Sequence, residues 1–447
     1  MKFVIIGGDA AGMSAASRAK RIDPQLEVTV LEQTMDVSYS ACGMPYNIAD
    51  PQRDIEELVV RRAEVFRQKQ GIDLRNGCRA DRIDAAAKTV SGVDRSMNHF
   101  EENYDKLLIA TGASAIRPDL PGFDLPGVMV LKSLDQGRRM KDFLNSRKVR
   151  RAIIIGMGYV ALEMCESLRA LGIDLDMVKP RPAFLPWMPE EMSQVVLEEI
   201  HAKGVQTFSG HSITAIETPS HGGLAVVCDG MTLEGDMVLV ATGVTPNSGI
   251  AAEAGLELSI NSAIAVDRRL LTSDENIFSA GDCADAFHIV SGQRTWIPLA
   301  LRANRAGWAV ADNICGRQTE LEGIAGTAVF RIFGLQVART GLTTAQAQKA
   351  GFEPVGVVIK TRSRAHAHPG AATIWNHMVA DKGSGRLLGM QMVGKEGVAH
   401  RINAPAVALQ SRMTVEQFSQ CDLAYAPPFG PTWDPVLTTA NQLLKKL

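Results

Sequence analysis

The sequence predicts an α/β protein with parallel sheets, a first domain interrupted by a second, and a separate α+β C-terminal part. Two glycine turns, each set between an apolar strand and a helix, predict the first two units. A pair of Ala-Thr-Gly segments, each following an apolar strand, predicts the crossings between them. With 447 residues, 46% of them apolar, the chain can build about three domains with proper cores.

Residues 3 to 32 read as strand (Phe3 to Ile6), glycine turn (Gly7 to Gly12), helix (Met13 to Ile22) and strand (Val28 to Leu31) ending in Glu32. This is the βαβ pattern of a Rossmann-like unit. Gly7 permits the tight turn, Gly12 lets helix and strand pack closely, and the helix N-terminus suits a pyrophosphate. Glu32, 20 residues after Gly12, can accept both hydroxyls of a ribose. Asp9 stands where the pattern has its middle glycine.

Ten residues after Glu32 comes Cys42, within Ser38-Tyr39-Ser40-Ala41-Cys42-Gly43-Met44-Pro45-Tyr46. Further on, Leu108-Ile109-Ala110-Thr111-Gly112 is an apolar strand entering a turn. The second fingerprint runs from Ala152 through Gly156-Met157-Gly158-Tyr159-Val160-Ala161, with a helix from Leu162 to Leu171 and a strand from Asp174 to Val178. At the end of that strand stand Lys179 and Arg181, cations suited to the extra 2′-phosphate of NADP(H), or an ordinary pair of surface charges. Leu239-Val240-Ala241-Thr242-Gly243 repeats the strand-and-turn segment. In Asn276-Ile277-Phe278-Ser279-Ala280-Gly281-Asp282 a carboxylate follows an apolar strand, where it binds a hydroxylated chain or caps a following helix. These elements divide the chain into residues 1–112 with 245–322, a nested domain 113–244 and a C-terminal domain 323–447.

Forty-seven Lys and Arg against 49 Asp and Glu leave a formal charge of −2, which points away from nucleic acid or an anionic membrane and toward small soluble ligands. No run of eighteen apolar residues exists, and the N-terminal apolar run breaks at Gly7-Gly8 without a basic leader, so the expected location is the cytoplasm. The seven cysteines are at least 32 residues apart, which excludes any CxxC redox or zinc pair. Six are expected to be small hydrophobes; the setting of Cys42 sets it apart.

In this order and spacing, the two glycine fingerprints, both Ala-Thr-Gly segments and Ala280-Gly281-Asp282 resemble the pyridine nucleotide–disulfide oxidoreductases over essentially the whole chain. The resemblance implies FAD held by Gly7, Gly12, Glu32, Ser40, Thr111, Gly112 and Asp282, and NADPH or NADH held by Gly156, Gly158, Lys179, Arg181 and Gly243. It also implies that the C-terminal third is an interface domain, making a homodimer with composite active sites. A glutathione-reductase-type member carries a second cysteine five residues after the first; here that position is Asn47. The single cysteine before Gly-Met-Pro-Tyr, with Asp422 to Phe429 and Asp434-Pro435-Val436 near the end, resembles the coenzyme A disulfide reductases and the NAD(P)H-dependent persulfide or polysulfide reductases.

That branch implies a low-molecular-weight disulfide or persulfide as substrate, coenzyme A-based ones among them, with Cys42 as the redox thiol and Glu163 on the nicotinamide side. Arg18 and Arg21, one helical face at i and i+3, would meet the coenzyme's phosphates together with Ser38, or be solvated charges. Tyr425 belongs to the tail that reaches the site. Where the branch has a Tyr-Tyr-Pro-Gly stretch, this chain has His366-Ala367-His368-Pro369-Gly370, so His366 and His368 can supply a general acid or an anion contact, or simply pack at the interface. His-x-His alone does not propose a metal. Oxygen reduction through a Cys42 sulfenic acid, or service as a flavin redox sensor or electron-transfer protein, are the alternatives.

Replacing Lys179 and Arg181 with neutral residues is expected to raise the KM for NADPH by about tenfold more than that for NADH. An unchanged ratio in steady-state kinetics would contradict their assignment to the 2′-phosphate.

Overall fold

A computed structural model describes all residues, Met1 to Leu447. Its first sheet has five parallel strands in the order Ile277–Ser279, Lys106–Ile109, Lys2–Ile6, Glu27–Glu32 and Asp73–Asn76. Phe3, Val4 and Ile5 are wholly buried, as expected of a central strand covered on both faces. One edge strand comes from residue 277 onward, so this sheet takes its strands from two distant stretches of chain.

Helix Ala10–Ile22 lies on the sheet and packs against helix Ala300–Ile314. The two approach so closely that a Cβ on Gly307 would stand 2.2 Å from the Ala11 carbonyl oxygen. Both fingerprint helices begin earlier than their apolar patterns suggest, at Ala10 instead of Met13 and at Tyr159 instead of Leu162. Small residues at 10 to 12 and the aromatic Tyr159 hide the first turn from a hydrophobic pattern.

The second sheet repeats the plan: Gln206–Ser209, Asp174–Lys179, Arg151–Ile155, Met237–Val240 and Val128–Met129, all parallel. Between the two sheets the chain crosses twice, and the crossings pair as an antiparallel ribbon of Ala113–Ala115 with Val244–Pro246. The two Ala-Thr-Gly segments lie at its ends. The Thr111 hydroxyl donates to the Asn247 carbonyl, the Asn247 side chain donates back to the Thr111 carbonyl at 2.8 Å, and Thr242 Oγ1 donates to the Ile116 carbonyl at 3.0 Å.

From Ala328 the chain forms an antiparallel sheet in the order Ala328–Ile332, Leu335–Gly341, Leu387–Gly394, Thr373–Asp381 and Pro354–Arg362. Helix Pro435–Leu444 covers it with Val436, Leu437, Ala440 and Leu443. Phe330, Ile332, Leu335 and Val337 share a core with Leu162, Cys165 and Leu168 of the second fingerprint helix. No helix is long and apolar enough to cross a membrane.

Candidate functional site

The two glycine turns are superimposable in their physics. Gly7 and Gly156 have φ of +111° and +116°, and a Cβ on either would stand 2.2 Å from the carbonyl oxygen of Ala110 or Ala241. A Cβ on Gly12 would stand 1.9 Å from the Gly7 carbonyl oxygen, so only glycine lets this helix begin there. Gly158 and Gly112 meet no protein atom at that position. Neither fingerprint helix has a side chain capping its N-terminus, which leaves the first-turn N–H groups for an anionic group. Dinucleotide phosphates fit both.

Glu32 is buried and fixed from two sides. One carboxylate oxygen accepts from the Gly8 N–H at 2.7 Å; the other accepts from the Thr34 N–H at 2.7 Å and its hydroxyl at 2.8 Å. Asp9 and Asp282 add further carboxylates nearby. Burial pushes the Asp9 carboxyl up to about 6, with Glu32 and Asp282 adding to the rise and the Tyr39 amide and Lys132 opposing it. Lys132 Nζ donates to Asp282 Oδ2 at 2.9 Å. Asp282 caps no helix: a turn and a short hairpin follow it, and the next helix starts at Ala300.

Cys42 sits on a single turn, Ala41–Gly43, that runs directly into helix Met44–Ile48, whose first turn carries Pro45. Its anchorage lies on both sides. The Ser38 N–H donates to the Gly8 carbonyl at 3.2 Å, and Ser38 has a left-handed φ of +50°. The Ser38 carbonyl accepts from Val60, and the Ser40 N–H donates to Leu58 at 2.7 Å. Met44 and Ile48 are buried with Ile55, Leu58, Leu134 and Met140. Asn47, at the position of a second thiol, is buried: its side chain donates to the Asp54 carbonyl at 2.9 Å and accepts from Lys141 Nζ at 3.0 Å.

The sulfur is exposed, whereas Cys165, Cys228 and Cys283 are buried, and all seven cysteines are free. The neighbouring protein still removes part of the solvent around Cys42. This desolvation raises its thiol pKa, and the charges of Glu163, Asp282 and Asp9 raise it further against the pull of Lys132. Glu163 lies on helix Tyr159–Ala170 and accepts from the Tyr46 hydroxyl at 2.9 Å, a bond that joins the Cys42 segment to the second fingerprint helix. Burial raises the Glu163 pKa, the Tyr46 bond opposes this, and Glu166 adds to it. Glu166 pairs with Arg331 at 2.6 Å, whose guanidinium lies 5.9 Å from the Tyr46 ring centroid. Tyr46 stood in the motif without a role, Lys132 in no motif at all.

Other sequence candidates are spread more widely. Arg18 is clamped to Asp312 by two hydrogen bonds of 3.0 and 2.8 Å and lies over Trp308, which makes it part of the helix–helix contact; Arg21 is exposed and unpaired. Lys179 turns back to donate to the Ala183 carbonyl, with Phe184 at 6.0 Å, while Arg181 is exposed and free. His366 accepts from Arg362 at 3.3 Å and His368 Nδ1 donates to the Pro369 carbonyl at 3.1 Å. Their loop is tied to the tail by the Ala365 N–H donating to Pro427 at 3.1 Å. Tyr425, Phe429 and Trp433 on that tail are all exposed. Within one chain this group makes no hydrogen bond to the residues around Cys42. No group of three or more His, Cys, Asp or Glu is placed to hold a metal ion.

Residues 1–307 match the family described as pyridine nucleotide-disulphide oxidoreductase, and residues 327–435 match the dimerisation domain of the same family. The chain belongs to this family. It is an FAD-dependent oxidoreductase that uses NAD(P)H. It is 35% identical to an NAD(P)H sulfur oxidoreductase (CoA-dependent) of Pyrococcus furiosus over 99% of both chains. It is 30% identical to an NADH oxidase of Methanocaldococcus jannaschii over 100% of this chain and 99% of that one. A solved NAD-dependent persulfide reductase from A. fulgidus is 34% identical, with a TM-score of 0.96 over 100% of this chain and 83% of that one.

Because the Glu163 charge disfavours a thiolate at Cys42, Glu163→Gln is expected to lower the pH midpoint for alkylation of Cys42 by iodoacetamide. A midpoint that stays or rises would contradict the electrostatic coupling.

Proposed function

We propose that the protein reduces low-molecular-weight disulfides or persulfides with NAD(P)H, working as a cytoplasmic homodimer, and that coenzyme A disulfide, coenzyme A persulfide and polysulfide define its substrate class. The observation that carries this reading is Cys42, a lone exposed thiol held beside the first nucleotide turn with a hydrogen-bonded asparagine where a partner thiol would stand. A thiol without a resolving neighbour takes its disulfide partner from the substrate. The names of the relatives from Pyrococcus and A. fulgidus support the same class.

FAD, when bound, supplies a two-electron relay from the nicotinamide to sulfur. In this reading Gly7, Gly12, Glu32, Ser40, Gly112 and Asp282 hold it, with Thr111 setting the turn beside it. Gly156, Gly158, Gly243, Arg181 and Lys179 receive the nicotinamide nucleotide. The Cys42 thiolate attacks the sulfur of the substrate; an S–S bond forms to Cys42 as the original S–S bond breaks, and thiolate or hydrosulfide leaves. Two electrons and a proton then split the mixed disulfide, returning Cys42 and releasing the second thiol. Glu163, positioned by Tyr46, lies on the side of the second fingerprint helix. Arg21 and Ser38 are offered to the substrate's anionic end, with Arg18 held back by Asp312. His366, His368 and Tyr425 would reach the site of the other subunit, with an imidazole available to protonate the leaving sulfur.

A second reading, oxygen reduction through a sulfenic acid at Cys42, is favoured by the likeness to the Methanocaldococcus oxidase. Anaerobic NADPH consumption by the yellow protein with each sulfur substrate in turn separates the two. Wild type is expected to turn over at least one of them, and Cys42→Ser to lose that activity by about a thousandfold while still reducing artificial acceptors. Retained sulfur reduction in Cys42→Ser would refute the reading, and oxygen uptake without sulfur turnover would favour the oxidase.

A further inference from the structure

A cavity of about 510 Å³ opens where the hairpin Ala286–Phe287 with Arg294–Thr295, the residue Tyr159 and the antiparallel sheet meet. None of its 17 lining residues is Asp or Glu, whereas His288, Arg294, Arg339 and Lys349 all line it. Arg294 is already paired with Asp285. Arg339 has no carboxylate partner: its Nε is buried without a hydrogen-bond partner, its guanidinium lies over Trp187 at 5.2 Å and beside the Tyr159 hydroxyl, and Nη2 reaches the Gly341 carbonyl at 3.5 Å and Gln346 at 3.3 Å. Its register partner on the neighbouring strand, Gln391, is wholly buried and also leaves its amide nitrogen unpartnered. A partly buried guanidinium with no carboxylate beside it is costly unless an anion meets it.

His288, also in the lining, adds a donor. It is 6% exposed, and its Nδ1 accepts from the Val290 N–H at 3.2 Å. The neutral ring therefore carries its proton on Nε2, which has no partner in the protein. Burial, helped by the nearby Arg339, holds the ring neutral by lowering its pKa to about 4. Lys349, at the end of helix Thr344–Lys349, is exposed and forms no ion pair.

We propose that this cavity binds a small tetrahedral oxyanion of the sulfate, thiosulfate or phosphate type, with Arg339, His288 Nε2–H and Lys349 as its donors. Gly7, Gly12, Gly156, Gly158, Lys179 and Arg181 do not line the cavity, whereas Tyr159, which follows Gly158, does, so the cavity borders the second nucleotide fingerprint without including its glycines. Its floor includes Tyr159, whose ring packs against Trp187 and Phe330 at 6.0 and 5.1 Å, so a bound anion abuts the first residue of the second fingerprint helix.

Equilibrium dialysis of the FAD-loaded enzyme against labelled phosphate, sulfate and thiosulfate, separately and at constant chloride, tests this. Saturable binding of about one anion per chain is expected, weakened about tenfold in Arg339→Gln and in Lys349→Glu and retained under saturating NADP⁺. The anion bound most tightly identifies the source. Should Arg339→Gln fail to fold, the exposed Lys349→Glu decides alone. Binding of none of the three, equal binding by Lys349→Glu, or displacement by NADP⁺ would overturn the proposal.

Discussion

The close approach at Gly12 is the constraint on which the first domain depends. The Gly7 carbonyl occupies the space a side chain at 12 would need, and that contact sets the angle at which helix Ala10–Ile22 leaves the sheet. The same helix carries the tight crossing with Gly307 on its other side, so its position is fixed against both a strand and a second helix. The Gly8 N–H then reaches Glu32, and the Gly8 carbonyl holds Ser38. Through these two bonds the nucleotide turn and the loop that presents Cys42 become one rigid unit. The placement of the Cys42 sulfur is thus a consequence of a glycine thirty residues earlier.

Around that sulfur the charges work against ionisation. Three carboxylates, at Asp9, Glu163 and Asp282, outnumber the one lysine, Lys132, that favours a thiolate. The raised pKa of this thiol slows stray oxidation, because the thiolate is the form that reacts. Its ionisation is then coupled to whatever alters this set of charges. The Tyr46–Glu163 bond is one such lever, since it links the cysteine segment to the helix of the second nucleotide unit, and Arg331 behind it brings in the C-terminal sheet.

Much of the architecture was legible because local patterns carried it. Both βαβ units announce themselves in apolar strands broken by glycine turns, and Asn47 stands visibly where a second cysteine would be. The antiparallel order of the C-terminal sheet is not legible, because its pairing depends on contacts between strands far apart in sequence. The same holds for the site. Lys132 meets Asp282 across 150 residues, Tyr46 meets Glu163 across 117, and Arg18 meets Asp312 across 294. No spacing rule reports such pairs. Arg18 shows the consequence: helical periodicity put it beside Arg21, but only the fold shows that one is clamped and the other free. Lys179 is similar, its position at the strand end correct and its ammonium turned back onto its own loop.

In the proposed reaction substrate sulfur becomes bonded to Cys42 during turnover. Rapid acid quenching of the FAD-loaded enzyme mixed anaerobically with one equivalent of coenzyme A disulfide, followed by peptide mass spectrometry, reads that bond directly. One coenzyme A adduct per chain is expected, confined to the peptide containing Cys42 and removed by adding NADPH. Rapid reduction of the substrate with Cys42 unmodified throughout, or an adduct on any of the other six cysteines, would contradict it.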